Sequence, residues 1–176
     1  MLKKIKSLRS KKGASVLEFA FGLLTFVLLV AFVVDVIIIA NKQFVVSQTA
    51  NEIVRQIAVQ GGVMRTAPEG YQGGNNAYVD SGEMFVQLSE NFRDAGMSDR
   101  NWSMRLDGYD ANGVRVQSED LSNRTNFSVD YRDNFEFEIK YEYNWAIIGQ
   151  LIPPMRENRD VSQKRSSVSE FKYMIN

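Results

Sequence analysis

The longest apolar run of the chain lies near its N-terminus, from Phe19 to Ala40. Its 22 residues include one charged residue, Asp35, and the polar Thr25. As a helix the run would extend about 33 Å at ~1.5 Å per residue, and the hydrocarbon core of a bilayer is roughly 30 Å thick. The pattern therefore predicts one membrane-spanning helix.

The pattern changes after this run but stays helical. Between residues 41 and 60, apolar residues recur at helical spacing among polar ones, and Gly61-Gly62 predicts the end of the helix. One helix from about Ala14 to Gln60 would be near 70 Å long at ~1.5 Å per residue. Its lower half would be transmembrane, and its amphipathic upper half would pack on a domain. The predicted packing positions are Phe44, Val45, Ala50, Ile53, Val54, Ile57 and Ala58.

A loop and a second, shorter helix follow. Residues 61–80 are rich in glycine and asparagine, which is typical of a loop. Ser81 is predicted as the N-cap of the short helix and Gly96 as its end. The predicted apolar face of this helix consists of Met84, Phe85, Leu88, Phe92 and Ala95.

Apolar and polar residues then alternate, which predicts strands. Residues 135–145 alternate without a break, and Asn112-Gly113 predicts a hairpin turn between two earlier strands. Residues 164–167 (KRSS) are predicted to be an exposed linker, with a final strand after them. The residues predicted to form that strand are Val168 or Phe171, Tyr173 and Ile175. The predicted fold class is α+β, with the long helix packed against a small antiparallel β-sheet domain and one short helix.

Charge and composition narrow the function classes. The chain has 21 basic and 21 acidic residues, but six of the basic ones precede the first acid. From Ala14 onward 15 basic residues (21 − 6) face 21 acidic ones, and this acidic body argues against nucleic-acid contact by the main domain. Cysteine and histidine are absent, which excludes disulfides and thiolate metal sites and removes the commonest general base. We therefore expect no catalytic residue, cofactor or metal, and no enzyme.

The residues that lead into the apolar run have a distinctive order. A short basic leader precedes Gly13, then come Ala14-Ser15-Val16-Leu17 and the pair Glu18-Phe19. This order resembles a type IV prepilin leader, in which processing follows the glycine, a small residue comes first and glutamate stands at mature position five. The Glu18-Phe19 pair, Ala14 and the short leader most resemble the Flp (Tad) branch. Within it, they resemble TadE-like minor pilins, or pseudopilins, which carry an added extracytoplasmic domain.

The resemblance rests on residues 1–60 and implies a pilin-like fold, processing and assembly. Gly13 and Ala14 would flank the cleavage site, and Glu18 and Phe19 would act in assembly. The implied partners are a prepilin peptidase, other pilin subunits, an assembly platform with its ATPase, and membrane lipid. The implied segments are a cleaved leader (1–13), an assembly helix (14–40), its amphipathic extension (41–60), the loop (61–80) and an extracytoplasmic α+β domain (81–176).

Glu18 itself supports this interpretation on physical grounds. A carboxylate at the centre of a membrane helix costs about 2.5–3.5 kcal/mol on insertion scales, and less near an interface. After cleavage the new α-amine of Ala14 would lie one helical turn away, within reach of Glu18 on the same or an adjoining subunit. Pairing the two would fix the axial register between subunits. The alternative is that Glu18 only marks the boundary with water.

Asp35 lies 17 residues beyond Glu18, about 25 Å along a helix at ~1.5 Å per residue. With Glu18 at the inner boundary, Asp35 is predicted to be an acid at the outer membrane interface, with its carboxylate reaching water. A second hypothesis is an intersubunit contact, for example with Lys42 of a neighbour.

The basic leader predicts the topology of the membrane helix. Six basic residues would hold the N-terminus in the cytoplasm and place the C-terminal body outside the cytoplasmic membrane, before its transfer to a cell-surface pilus. A cleaved secretory signal is disfavoured because the apolar run is too long and Ile38 stands two residues before the best candidate, Ala40. The open alternative is an uncleaved, single-span signal anchor with a small extracellular binding domain.

Overall fold

The computed structural model describes residues 2–68, 71, 78–98 and 101–171, and for residues 2–14 it describes the backbone alone. The chain divides into two compact units. The sheet unit comprises Ala40–Tyr143 and Asn158–Asn176. The helical unit comprises Met1–Ile39 and Asn144–Glu157. Helix α1, Leu2–Gln60, contributes to both.

The sheet unit contains the last third of α1, helix α2 and two antiparallel sheets. Helix α2 is Ser81–Asp94. The strands are β1 (Gly62–Val63), β2 (Trp102–Tyr109), β3 (Arg115–Asp120), β4 (Phe127–Ser128), β5 (Asn134–Tyr143) and β6 (Arg159–Val168). The larger sheet has the order β3-β2-β5-β6, and β1 pairs with β4. The predicted α+β class, with a long helix on a small antiparallel sheet and one short helix, is confirmed.

The core of the sheet unit lies between the two helices and one face of the larger sheet. In the register of β2 and β5, Leu106 is opposite Phe137 and Met104 is opposite Ile139. All four side chains are buried. They belong to one cluster with buried residues of both helices, namely Val46, Ala50, Ile53, Ile57, Met84, Leu88 and Phe92. The apolar alternation of β5 and the apolar face predicted for α2 therefore both turn inward.

Chain reversals fall where the sequence predicts them. Helix α1 ends at Gln60, where Gly61 N donates to Ile57 O at 2.9 Å, and the next glycine lies against β4. A Cβ on Gly62 would stand 2.2 Å from Phe127 O, so only glycine fits this close approach of β1 to β4. In the β2–β3 hairpin Gly113 has φ +78, which favours glycine.

Three local predictions are wrong. Asp80, rather than Ser81, caps α2, because its Oδ1 accepts from Glu83 N at 2.9 Å. Residues 164–167 lie inside β6 and are not a linker, and Phe171 lies outside the strand. Tyr173 and Ile175 are outside the described residues. Phe44 is 59% exposed, because two helical residues turn the chain by ~200° away from buried Val46.

The helical unit packs residues 144–157 against the first part of α1. Helix α3, Ile148–Leu151, is followed by a 3-10 turn at Pro153–Met155. Trp145 lies outside β5, and its ring stacks on Phe32 with centroids 5.6 Å apart. The sequence places residues 144–157 in the 81–176 domain, whereas they cluster with the N-terminal part of α1.

Candidate functional site

The predicted assembly residues lie on an exposed part of α1. Phe19 is 74% exposed and Glu18 is also exposed. Among the side chains that the structure describes, from Ser15 onward, Glu18 makes no hydrogen bond or ion pair. The Glu18 carboxylate is therefore exposed, and a group from another molecule or from the side chains before Ser15 could reach it.

The predicted cleavage site lies within α1. The backbone of Gly13 and Ala14 is helical, and their side chains lie outside the described residues. Processing between these two residues remains a prediction.

The first part of α1 carries a continuous apolar surface. Its exposed large apolar side chains are Val16, Leu17, Phe19, Phe21, Leu23, Leu24, Phe26, Val27, Leu29, Val30, Phe32, Val33, Val34, Val36 and Ile37, from 38% to 74% exposed. Soluble proteins rarely leave a patch of this extent in water, because each buried methylene is worth about 0.8 kcal/mol. Among the described residues, α1 is the one helix long and apolar enough to span a membrane, which is consistent with a single-pass membrane protein.

Asp35 does not reach water as predicted. Its side chain is among the most buried on α1, at 1% exposure. Ile147 N donates to Oδ1 and Oδ2 at 3.0 Å each, and Ile148 N donates to Oδ2 at 2.7 Å. The expectation of a solvated carboxylate is therefore wrong, because two backbone N–H groups replace water as its donors.

This arrangement explains how an acid is retained inside an apolar run. Hydrogen bonds to a charged group contribute about 1.5–3 kcal/mol each, and an unpaired buried charge would be far more costly. Asp35 also caps the N-terminal end of α3, which has no capping side chain of its own. The partners are 112 and 113 residues away in sequence, so periodicity gave no signal of them.

The segment that binds Asp35 was not singled out by its sequence pattern. Residues Asn144 to Met155 contain no charged residue, and Ile147 and Leu151 are 38% and 52% exposed. Gly149 packs closely on the following turn, since a Cβ there would lie 3.0 Å from Met155 O. In the sequence, this segment is marked by its lack of charged residues between the charged ends of β5 and β6.

The outer face of the larger sheet is polar. Lys164 Nζ lies 2.6 Å from Glu136 Oε1, and this hydrogen bond raises the pKa of Lys164. Ser162 Oγ donates to Glu138 Oε1 at 2.6 Å. These glutamates are thus paired with β6 across the sheet, and the described residues include no group of three acids placed to hold a metal ion.

Comparison with models of protein families, with curated proteins and with solved structures finds no match to this chain.

Proposed function

We propose that this chain is a structural subunit of a type IV pilus of the Tad/Flp kind, a TadE-like minor pilin or pseudopilin. A prepilin peptidase would cut it after Gly13, and the mature protein would remain in the cytoplasmic membrane until the assembly platform and its ATPase draw it into a filament. It would prime assembly or form the tip, with the sheet unit presented outside the cell.

One observation carries the proposal: an exposed acid stands at the entrance of a lipid-compatible helix, five residues after a glycine. The exposed surface from Val16 to Ile37 fits lipid in the membrane and apolar neighbours in a filament equally well. Glu18 interrupts that surface without a partner among the described side chains. A charge that appears at Ala14 only after cleavage would supply one.

Helix α1 and the sheet unit divide the work in this proposal. The α1 surface would make the subunit contacts, because it is apolar and continuous. The sheet unit, which includes α1 from Ala40 onward, has its own buried core, so it would stay folded while the apolar first part of α1 moves from lipid into a filament.

Processing is tested by changing the glycine. The wild-type chain, Gly13→Ala and Gly22→Ala are each expressed with a Tad-type prepilin peptidase, and their N-termini are measured by mass spectrometry. Gly22→Ala is the matched control, since no atom lies within 4 Å of a Cβ there. We expect wild type and Gly22→Ala to begin at Ala14 and Gly13→Ala to keep its leader. Removal of the leader from all three proteins, or from none of them, would contradict the proposal.

Assembly is tested by changing the acid. Glu18→Ala and the isosteric Glu18→Gln should insert and be processed normally but be largely lost from filaments sheared off the cells, because both lack the charge that pairs with the new amine. Glu90→Ala, an exposed acid on α2, is the control and should be incorporated like wild type. Normal incorporation of Glu18→Gln would leave Glu18 as a boundary residue.

The alternative is an uncleaved signal anchor that carries a small extracellular binding domain. In both alternatives α1 spans the membrane. The uncleaved anchor, however, would keep residues 1–13. The processing experiment therefore separates the two.

A further inference from the structure

The segment Asn144–Glu157 meets α1 inside the apolar run and not beyond its end. Its contacts are Phe32 and Asp35, whereas the run continues to Ala40. At ~1.5 Å per residue, Asp35 lies about 7.5 Å and Phe32 about 12 Å before that end. If α1 crosses a bilayer, the segment that touches these residues lies at the depth of one leaflet.

The surface of the segment is suited to that depth. No charge occurs from Asn144 to Met155, and Arg156-Glu157 then restores charge where the chain leaves. The exposed side chains of this stretch are the apolar Ala146, Ile147, Leu151, Pro153 and Pro154 and the uncharged polar Asn144 and Gln150. The Trp145 ring stacks on Phe32 of α1.

From Ile147 onward, the backbone of the segment is also suited to a place without water. In hydrocarbon each unsatisfied N–H costs several kcal/mol, so irregular backbone persists only when its groups are bonded. The amides of Ile147 and Ile148 bind Asp35. Those of residues 149, 150, 152, 155 and 156 donate to carbonyl oxygens within the segment at 2.8–3.2 Å. Pro153 and Pro154 have no N–H to satisfy.

We propose that Asn144–Glu157 is a second membrane contact, an apolar hairpin that lies in the lipid leaflet at the C-terminal end of the apolar run and is tied to α1 by Asp35. Lipid is the occupant because the segment contacts Phe32 and Asp35 inside the exposed apolar run of α1, and its own Ile147 and Leu151 are also exposed. The inference rests on membrane insertion of α1, but not on cleavage or filament assembly.

The proposal is tested by tryptophan quenching in the full chain, reconstituted in phosphatidylcholine vesicles with bromines on the acyl chains either near the headgroup or near the chain end. The chain has two tryptophans. Trp102→Phe leaves Trp145 as the reporter, and Trp145→Phe leaves Trp102 in the sheet unit as the matched control. Phe26→Trp, in a chain without both native tryptophans, reports whether α1 is inserted.

Because the Trp145 ring stacks on Phe32, we expect both Trp145 and Phe26→Trp to lose most of their fluorescence to deep bromines, and Trp102 to keep it. Quenching of Phe26→Trp with Trp145 as insensitive as Trp102 would overturn the inference and leave the membrane helix intact. Trp145 shielded from both bromolipid and aqueous iodide would show that protein and not lipid covers this ring, and would also overturn the inference. Quenching of neither Phe26→Trp nor Trp145 would overturn the membrane helix and the inference together.

Discussion

The two parts of α1 have opposite polarity. Between residues 15 and 39, large apolar side chains are exposed and an acid, Asp35, is buried. Between residues 40 and 60, apolar side chains such as Ile53 and Ile57 are buried, and the exposed ones are mostly polar. Lipid favours the first arrangement and water the second. The reversal is stronger support for a membrane anchor than the length of the apolar run, because a buried core helix would be apolar without being exposed.

The two units are also stabilised differently. The sheet unit depends on an apolar core, whereas the described part of the helical unit depends on a carboxylate that binds two amides. Deleting a polar group should therefore be the damaging change in the helical unit, and deleting an apolar group the damaging change in the sheet unit.

The largest effect is expected for a phenylalanine-to-alanine substitution in the sheet unit, and the same substitution in the helical unit is the comparison. Phe137→Ala removes a fully buried ring and should cost the sheet unit about 3–5 kcal/mol. Phe26→Ala, at a residue 63% exposed, should leave that unit unchanged. Urea unfolding followed by Trp102 fluorescence, in a Trp145→Phe background, measures both. Similar losses from the two variants would contradict the division into units.

The second largest effect is expected for Asp35→Leu. It leaves the buried amide of Ile148 and the part-buried amide of Ile147 without their acceptor, at a cost of about 1–3 kcal/mol for the buried one and less for the other. Hydrogen exchange of these two amides in lipid nanodiscs should accelerate strongly. Asp35→Asn keeps one acceptor oxygen and should give an intermediate rate. Unchanged protection in Asp35→Leu would mean that Asp35 does not hold the segment.

The smallest effect concerns the β6 edge. Arg165→Ala removes hydrogen bonds at 3.0 Å to Asn51 Oδ1 and Ser47 Oγ of α1, and should cost about 1–2 kcal/mol. Lys164→Ala is the adjacent control and removes an exposed ion pair, which solvent screening makes weak. Hydrogen exchange of the β6 amides should accelerate more in Arg165→Ala than in Lys164→Ala. The reverse order would show that β6 is held by its outer face.

The spacing of apolar residues along the chain predicts those helices and strands whose buried face is apolar. Helix α2 and strand β5 present uninterrupted apolar faces, and their period identified them. Strand β6 was missed because its less exposed positions are Val161, Gln163, Arg165 and Ser167, of which only the first is apolar. As an edge strand it packs polar side chains against polar residues of α1, so no alternation of hydrophobicity marks it.

The candidate site was predictable where its chemistry is local and not where it depends on distant partners. The spacing from Gly13 to Glu18 is readable in the sequence, and the role of Glu18 in assembly stays a prediction. The environment of Asp35 was not predictable, since its donors are backbone amides of Ile147 and Ile148 that no side-chain pattern reveals.

The intact mass of the protein, extracted from the membranes of the cells that make it, is the most direct test of processing after Gly13. We predict a chain that begins at Ala14, lighter than the full sequence by residues 1–13. A protein that retains Met1–Gly13 in cells with an active prepilin peptidase would contradict the central claim.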